Sequence, residues 1–429
     1  MQSRPYAGGF FFGGDAMKRL LALVLCLLVC LTGASALAQE VTIVHMTDPH
    51  YLSPALTDYG PEFMALIEES DGKVTHYTPQ IVQAFVAEML AMQPDAIIIS
   101  GDLTLNGARK SHEELVSLLT PLAEAGIRVL ALPGNHDTNA MGYQFKGEEI
   151  LYVDGLVDED FDDLYARLGY EGALSCDPAS MSYVAEIVPG LRVLLVDTNA
   201  NGTLGTVNDR TLLWIEGQLS RAKREGATVI AVSHQPAMIH NRLFTFGYVI
   251  NNNTKLLALY EQYGVPLNLY GHLHMQHVAS GNGVTEVAAS SLAVAPNQYG
   301  VLKVKDGRLV SYAMQPLDVA AWAAQTGQTD PNLLDFGAYA ADFFNQTTAG
   351  QTGAMVAQLP LSPEEKQQMI DFAVALNAEY FSGKRTLTAD HPAWAMWQQH
   401  APGTFFNVYM GSILAEEPQD MGVVTFPAE

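Results

Sequence analysis

A short apolar run followed closely by a carboxylate or an imidazole recurs along this chain, and this recurring pattern constrains the fold more than any other feature. The apolar runs occupy residues 41–46, 96–100, 127–132, 228–233 and 265–270. The polar residues just beyond them are Asp48, Asp102, His136, His234 and His272. Short runs without polar alternation are typical of strands that are buried on both faces. Because ligands gather at the carboxyl ends of such strands, we predict that these polar side chains share one site.

Amphipathic helices separate the apolar runs. Residues 79–92 form one predicted helix, and Ser-His-Glu-Glu at 111–114 resembles a capping box at the start of another. The sheet is completed by strand-like segments at 284–290, 299–304 and 308–314. Alternating strands and helices predict an α/β fold in which helices are layered on the sheet. We therefore predict one large domain over residues 40–316 that carries the site.

After residue 316 the pattern changes to helices alone. Ser-Pro-Glu-Glu at 362–365 is a helix start with proline at the first helical position. An apolar face follows at helical spacing, formed by Met369, Phe372, Leu376 and Tyr380. We predict a mainly helical C-terminal domain over residues 317–429.

The predicted C-terminal domain is rich in aromatic residues. They include Trp394, Trp397, Phe405, Phe406 and Tyr409. Their roughly helical spacing favours a place in the core, and the alternative is a surface that binds a sugar or a base.

The N-terminus carries the pattern of a secretory signal. A basic start at 17–19 precedes an apolar run at 20–31, and Ala-Leu-Ala at 36–38 is a small-x-small cleavage site. The apolar run is too short for a comfortable membrane span, so no stable span is expected after cleavage. We predict that residues 1–38 are an N-terminal extension with a signal peptide and that the protein is exported to a periplasmic, cell-surface or extracellular location. Met17 offers a second start, which leaves open whether residues 1–16 are translated.

The net charge argues against nucleic acid and anionic membranes as partners, and the cysteine content argues against internal disulfides. The formal net charge is −24, from 22 basic and 46 acidic residues. Such a surface repels phosphate backbones and anionic membranes, so nucleic-acid binding is not expected. Cys176 is the only cysteine beyond residue 38, so no internal disulfide is expected in the exported chain. Nothing in the sequence indicates the oligomeric state.

The candidate site residues form an ordered set of short blocks. The blocks are Asp48-x-His50, Gly101-Asp102, Gly134-Asn135-His136-Asp137, His234 and Gly271-His272-x-His274. Carboxylates and imidazoles together suit Mn²⁺, Fe or Zn²⁺ better than Ca²⁺, which prefers oxygen ligands. Two divalent ions in one site need a shared anion because they repel each other. Asp102, alone at its strand end, is a natural bridge.

This order of blocks resembles the calcineurin-like metallophosphoesterase family, whose pattern is D-x-H, G-D, G-N-H-D/E, H and G-H-x-H. All five blocks match between residues 48 and 274. The resemblance implies a layered β-sandwich flanked by helices, an αββα arrangement, and two bound ions of Mn, Fe or Zn, divalent or of mixed valence. The ligands that it implies are Asp48, His50 and His274 for the first ion, Asn135, His234 and His272 for the second, and Asp102 for both.

The same resemblance implies a reaction, the hydrolysis of a small-molecule phosphate ester by a metal-activated hydroxide. His136 is then the proton donor outside the metal shell, and Asp137 holds the His136 ring by hydrogen bonding. The block at 101–104 is similar to that of bacterial phosphodiesterases acting on cyclic nucleotides and other diesters, which favours a diester substrate. Asn106 and Gln235 depart from that subfamily without removing a ligand. The alternatives are a phosphomonoesterase or nucleotidase, and a non-catalytic metal-binding receptor or cell-surface module.

Overall fold

The computed structural model describes residues 40–427, so the predicted signal peptide lies outside the described residues. Beyond Glu40 the described chain belongs to one compact unit. Its strands are β1 (Glu40–Met46), β2 (Ala96–Ser100), β3 (Arg128–Leu132), β4 (Gly142–Lys146), β5 (Glu149–Val153), β6 (Ser175–Cys176), β7 (Tyr183–Val188), β8 (Leu191–Val196), β9 (Thr228–Ser233), β10 (Leu267–Tyr270), β11 (His277–Gly281), β12 (Val284–Ala288), β13 (Gln298–Lys305), β14 (Arg308–Pro316) and β15 (Val423–Thr425).

Helices lie between these strands in the chain. They are α1 (Pro61–Glu69), α2 (Thr78–Met92), α3 (Arg109–Glu124), α4 (Asp158–Leu164), α5 (Asp209–Glu225), α6 (Asn253–Tyr263), α7 (Val319–Gln325), α8 (Pro331–Leu334), α9 (Phe336–Val356), α10 (Pro363–Ser382), α11 (Pro392–His400) and α12 (Phe405–Ile413). Among residues 40–427, none of these helices combines the length and the apolar composition that a membrane span requires.

Two sheets make up the centre of the fold. The first has the strand order β15-β14-β13-β1-β2-β3, and the second has the order β11-β12-β10-β9-β8-β7-β6. The strands β1, β2 and β3 run parallel, as do β8, β9, β10 and β12. The strands β4 and β5 form a separate antiparallel hairpin.

An apolar core fills the space between the two sheets. The first sheet contributes Ile43, Ile98 and Leu130, and the second contributes Val193, Ile230 and Leu267. The strand β2 is buried along its whole length, in accord with its unbroken apolar sequence. Helices α2 and α3 cover the outer face of the first sheet, and α5 and α6 cover that of the second. The predicted αββα arrangement is confirmed.

The helical C-terminal region begins as its sequence predicts. The Ser362 hydroxyl accepts from the Glu365 amide, and the Glu365 carboxylate accepts from the Ser362 amide, which completes a capping box at the start of α10. After α12 the chain returns to the first sheet, where β15 pairs with β14. The sequence pattern did not predict that last strand.

The capping box predicted at Ser111 is wrong. Helix α3 already begins at Arg109, so Ser111 lies inside its first turn. The Ser111 hydroxyl accepts from the backbone amide of Ser53, at 3.0 Å, and ties the loop after β1 to the helix.

Candidate metal centre

The strand ends that carry the candidate ligands come from both sheets. Asp48, Asp102 and Asn135 follow β1, β2 and β3 of the first sheet, whereas His234 and His272 follow β9 and β10 of the second. The backbones of the first two loops are joined, because the amide of Asp48 donates to the Gly101 carbonyl and that of His50 donates to the Asp102 carbonyl. The site therefore lies where the carboxyl edges of two facing sheets meet.

One group of ligand atoms comprises Asp48, His50, Asp102 and His274. All four residues are buried. The two Nε2 atoms of His50 and His274 lie 3.0 Å apart. The Oδ1 atom of Asp48 is 3.5 Å from Nε2 of His274, and Oδ2 of Asp102 is 3.8 Å from Nε2 of His50. Two imidazoles and two carboxylates thus converge on one point.

The second group comprises Asp102, His234 and His272, with Asn135 beside them. Nε2 of His234 lies 3.2 Å from Oδ1 of Asp102 and 3.0 Å from Oδ1 of Asn135. The Nδ1–H group of His234 donates to the Ser100 carbonyl at 2.8 Å, which leaves Nε2 as the metal-binding nitrogen. Oδ2 of Asp102 faces the first group and Oδ1 faces the second, which is the geometry of a bridging ligand.

The backbone is strained at several of these ligands. The φ angles are 50° at Asp48, 42° at His50, 46° at Asp102, 65° at His272 and 57° at His274. Residues with a Cβ atom avoid this left-handed region, and each such conformation costs of order 1 kcal/mol or more unless the surroundings impose it. The strain turns each side chain inward immediately after its strand ends.

Two glycines allow the loops to approach the ligands closely. A Cβ atom on Gly134 would lie 2.2 Å from Oδ1 of Asp102, and one on Gly271 would lie 2.4 Å from Oδ2 of Asp48. Such distances are well inside van der Waals contact, so only glycine fits at either position.

The donor set fits divalent cations. Oδ1 of Asp48 is fully buried and has no hydrogen-bond partner among the described residues, which is costly for a carboxylate unless a cation neutralises it. Burial holds the pKa of His50 well below its usual value, so this ring stays neutral, the form that binds metals. Burial opposes protonation of His234, yet the Asp102 carboxylate raises its pKa to about 9. The carboxylates therefore create a field that favours positive charge.

His136 lies beside both groups but contributes no atom to either of them. Its Nδ1–H group donates to the Leu105 carbonyl at 2.9 Å, and its Nε2 atom lies 3.9 Å from Oδ2 of Asp102. The side chain is 42% exposed, whereas the ligands Asp48, His50, Asp102, His234 and His274 are buried. Nε2 therefore faces both the site and the solvent.

The predicted hydrogen bond between the Asp137 carboxylate and the His136 ring is wrong, because among the described residues these two groups are not bonded to each other. The Asp137 carboxylate instead accepts from the backbone amides of Leu103, Thr104 and Gly134 and from the Thr104 hydroxyl. The turn at 134–137 points the carboxylate toward the loop after β2, away from the neighbouring ring. Asp137 positions that loop, and the Leu105 carbonyl of the same loop holds His136.

Sequence reasoning missed Asp71. Its Oδ2 atom lies 2.7 Å from Nδ1 of His274, and its Oδ1 atom lies 2.9 Å from Nζ of Lys73. A carboxylate on the outer nitrogen fixes the ring so that Nε2 faces the metal site. Asp71 belongs to the insertion between β1 and α2, where no motif signals it.

The profile of the calcineurin-like phosphoesterase family matches residues 41–276, which is more than half of the chain. The chain belongs to this family. A second profile, the C-terminal domain of cyclic nucleotide phosphodiesterase, matches residues 318–420.

Individual relatives agree with the family. A probable cyclic nucleotide phosphodiesterase of Rhodococcus erythropolis is 27% identical over 201 residues, 46% of this chain and 58% of the relative. A glycerophosphodiester phosphodiesterase of Enterobacter lignolyticus is 27% identical over 187 residues, 43% of this chain and 58% of the relative. The alignments thus span less than two thirds of either relative. The crystal structure of a dimetal phosphatase from Danio rerio aligns with a TM-score of 0.45 and 12% identity, over 64% of this chain and 95% of that one.

Proposed function

We propose that the protein is a binuclear-metal phosphodiesterase that is exported from the cell. The observation that carries the proposal is Asp102, whose two carboxylate oxygens face two separate ligand groups with His136 at their open side. We favour a diester substrate, since the matched relatives carry the names of phosphodiesterases for cyclic nucleotides and for glycerophosphodiesters. The C-terminal profile of cyclic nucleotide phosphodiesterases supports the same substrate class.

The two ligand groups support the predicted ion sites. Asp48, His50 and His274 would hold one ion, Asn135, His234 and His272 would hold the other, and Asp102 would contribute to both. We assign Mn, Fe or Zn, since mixed carboxylate and imidazole shells accept all three. When bound, the ions supply Lewis-acid activation of water and neutralise the charge on the phosphoryl oxygens.

His136 is the general acid in this proposal. Because its Nδ1–H group is occupied by the Leu105 carbonyl, the proton that it can transfer is the one on Nε2. That nitrogen belongs to a side chain that is 42% exposed, and it lies 3.9 Å from Oδ2 of Asp102. Transfer of the Nε2 proton to the departing alkoxide oxygen makes a better leaving group. The Leu105 carbonyl, held in turn through the loop that Asp137 anchors, keeps the ring in this orientation.

Activity on paired substrates tests the proposal. Purified protein from residue 39 onward, reconstituted with Mn²⁺, Fe²⁺ or Zn²⁺, should hydrolyse bis(p-nitrophenyl) phosphate faster than p-nitrophenyl phosphate. For cyclic AMP, whose leaving group is an alkoxide, His136→Ala should lower kcat by about 10²–10⁴ while the metal content measured by elemental analysis stays unchanged. His400→Ala, a histidine on α11, is the matched control and should leave kcat unchanged.

Other outcomes point elsewhere. Wild-type protein that binds fewer than one ion per chain and hydrolyses neither substrate would contradict the proposal and favour a non-catalytic binding module. Preference for the monoester would favour a phosphomonoesterase or nucleotidase.

A further inference from the structure

An apolar pocket adjoins the metal centre on the side of the C-terminal helices. It has a volume of about 190 Å³. Its walls come from α9, α10 and α12, together with Phe244 and the loop that carries Leu273 and Met275. Asp71 is the only charged residue among those that line it.

Aromatic side chains form much of the wall. The rings of Phe405 and Tyr409 are parallel within 2°, with centroids 6.0 Å apart. Phe244 contacts Tyr409 with centroids at the same separation. Phe405 remains 62% exposed, which places a large apolar ring at the mouth of the pocket. Flat apolar walls of this kind favour a flat apolar ligand.

Three polar groups of the wall, from Thr348, Asn377 and Tyr409, are bonded to one another. The Tyr409 hydroxyl donates to Oδ1 of Asn377 at 2.6 Å, and Nδ2 of Asn377 donates to the Thr348 hydroxyl at 3.0 Å. These groups need no partner from a ligand. An anionic ligand group would lose its hydration without compensation, and the Asp71 carboxylate is already paired with Lys73 and His274, so the pocket suits an uncharged group.

Two contacts connect the pocket to the ligands of the metal ions. Asp71, on the pocket wall, bonds to the ring of His274, and Leu273 lies between the ligands His272 and His274 in the chain. A row of rings makes the second connection, because Tyr248 contacts His272 at 5.8 Å and Phe244 at 5.0 Å between centroids. The pocket and the predicted metal site therefore adjoin each other at Asp71 and Leu273.

We propose that this pocket binds an uncharged aromatic group of the substrate, attached to the phosphoryl group that the metal centre holds. The inference rests on the proposed function and adds the C-terminal helices to the substrate site. The volume is sufficient, because a ~150 Å³ apolar cavity already accommodates benzene in another protein. Phe405, Phe244 and Tyr409 are the residues that select for the ring.

Phosphonates test the pocket without hydrolysis. The probes are phenylphosphonate and methylphosphonate, titrated calorimetrically into Mn²⁺-loaded protein. The two share the phosphoryl group and differ only in the substituent. Wild-type protein should bind phenylphosphonate about tenfold more tightly, the scale on which apolar pockets discriminate. Phe405→Ala and Phe244→Ala should each bring the ratio of the two dissociation constants toward one.

The control is Phe246→Ala, which removes an aromatic ring that is 93% exposed and absent from the pocket wall. It should preserve the wild-type ratio. Equal binding of both phosphonates by wild-type protein, or an unchanged ratio in Phe405→Ala and Phe244→Ala, would overturn the inference and leave the proposed function intact. If neither phosphonate binds and bis(p-nitrophenyl) phosphate is not hydrolysed, the proposed function fails and the inference fails with it.

Discussion

His45 shows how burial changes the chemistry of a single residue near the metal centre. It lies in β1, three positions before Asp48, and is fully buried. Its ring contacts the Ser100 hydroxyl at 2.8 Å and the Tyr312 hydroxyl at 3.1 Å. Burial lowers its pKa to about 3, although the charge on Asp48 opposes the shift. His45 is therefore a neutral packing residue at physiological pH.

We expect His45 to make the free energy of unfolding depend on pH. Above about pH 6.5, His45 is neutral in both the folded and the unfolded states. Below that pH the unfolded chain takes up a proton that the folded chain refuses until about pH 3. Folding thus loses ~1.4 kcal/mol per pH unit, or about 2 kcal/mol between pH 6.5 and 5.

His45→Gln isolates this effect. The glutamine cannot titrate and keeps a nitrogen or oxygen near Ser100. Urea unfolding at pH 7 and pH 5 should show wild-type protein losing about 2 kcal/mol more than the variant. The other histidines titrate in both proteins, so their contribution cancels in this difference. A stability difference that is the same at both pH values would show that His45 does not resist protonation.

At the level of elements, the site depends on how tightly three strand-end loops approach one another. The loop after β3 passes so close to the loop after β2 that Gly134 leaves no room for a side chain. A methyl group there would lie 2.2 Å from both the amide nitrogen and Oδ1 of Asp102. Because Asp102 bridges the two ligand groups, a shift of this loop disturbs both.

Gly134→Ala should therefore lower the metal content while the fold is retained. We expect fewer than two ions per chain by elemental analysis, slower hydrolysis of bis(p-nitrophenyl) phosphate and an unchanged far-ultraviolet circular dichroism spectrum. Gly217→Ala is the control, since Gly217 lies in α5 with open space at its Cβ position. It should keep its metal and gain about 0.5–1 kcal/mol of stability, because alanine favours the helix. Full occupancy in Gly134→Ala would mean that the loops are more pliable than their packing indicates.

The same strand ends explain which parts of the site were predictable. Each motif follows its own strand within a few residues, and parallel strands bring their carboxyl ends together, so short motifs locate Asp48, Asp102 and His234. Asp71 was not predictable, because its contact with His274 joins positions 203 residues apart through an insertion of irregular structure. Asp137 was assigned to the wrong partner because adjacency in sequence does not fix the direction of a side chain in a turn.

At the scale of the whole molecule, a buried polar network joins the C-terminal helices to the second sheet. The Nδ1 atoms of His240 and His277 lie 3.0 Å apart. Nε2 of His240 faces Glu286 at 3.2 Å, and Nε2 of His277 faces Glu416 at 3.1 Å. Arg385, with its side chain 1% exposed, adds a cation 3.6 Å from Glu416. The network buries His240, which is only 5% exposed.

The C-terminal region also packs against the rest of the fold through apolar contacts. Sequence composition separates residues 317–429 from the preceding domain, and the helices there do form their own apolar cluster around Trp397 and Tyr380. That cluster also contains Met275 of the loop beside the metal ligands. Composition reports which residues are helical, but it does not report contacts between helices and a sheet that are distant in the chain.

Arg385 and Glu416 form a charge pair at the end of this network. Glu416→Gln leaves the Arg385 guanidinium buried without a countercharge, and Arg385→Met removes the cation while keeping a long apolar side chain. Leaving one member of a buried pair alone costs several kcal/mol in general, and since Glu416 is 23% exposed we expect about 2 kcal/mol for Glu416→Gln. The double variant should be less destabilised than the sum of the single variants by about 1 kcal/mol or more in urea unfolding.

Lys255→Met breaks the exposed pair with Asp209 and should change stability by at most about 0.5 kcal/mol. Strict additivity of the Arg385 and Glu416 variants would show that the two charges act independently.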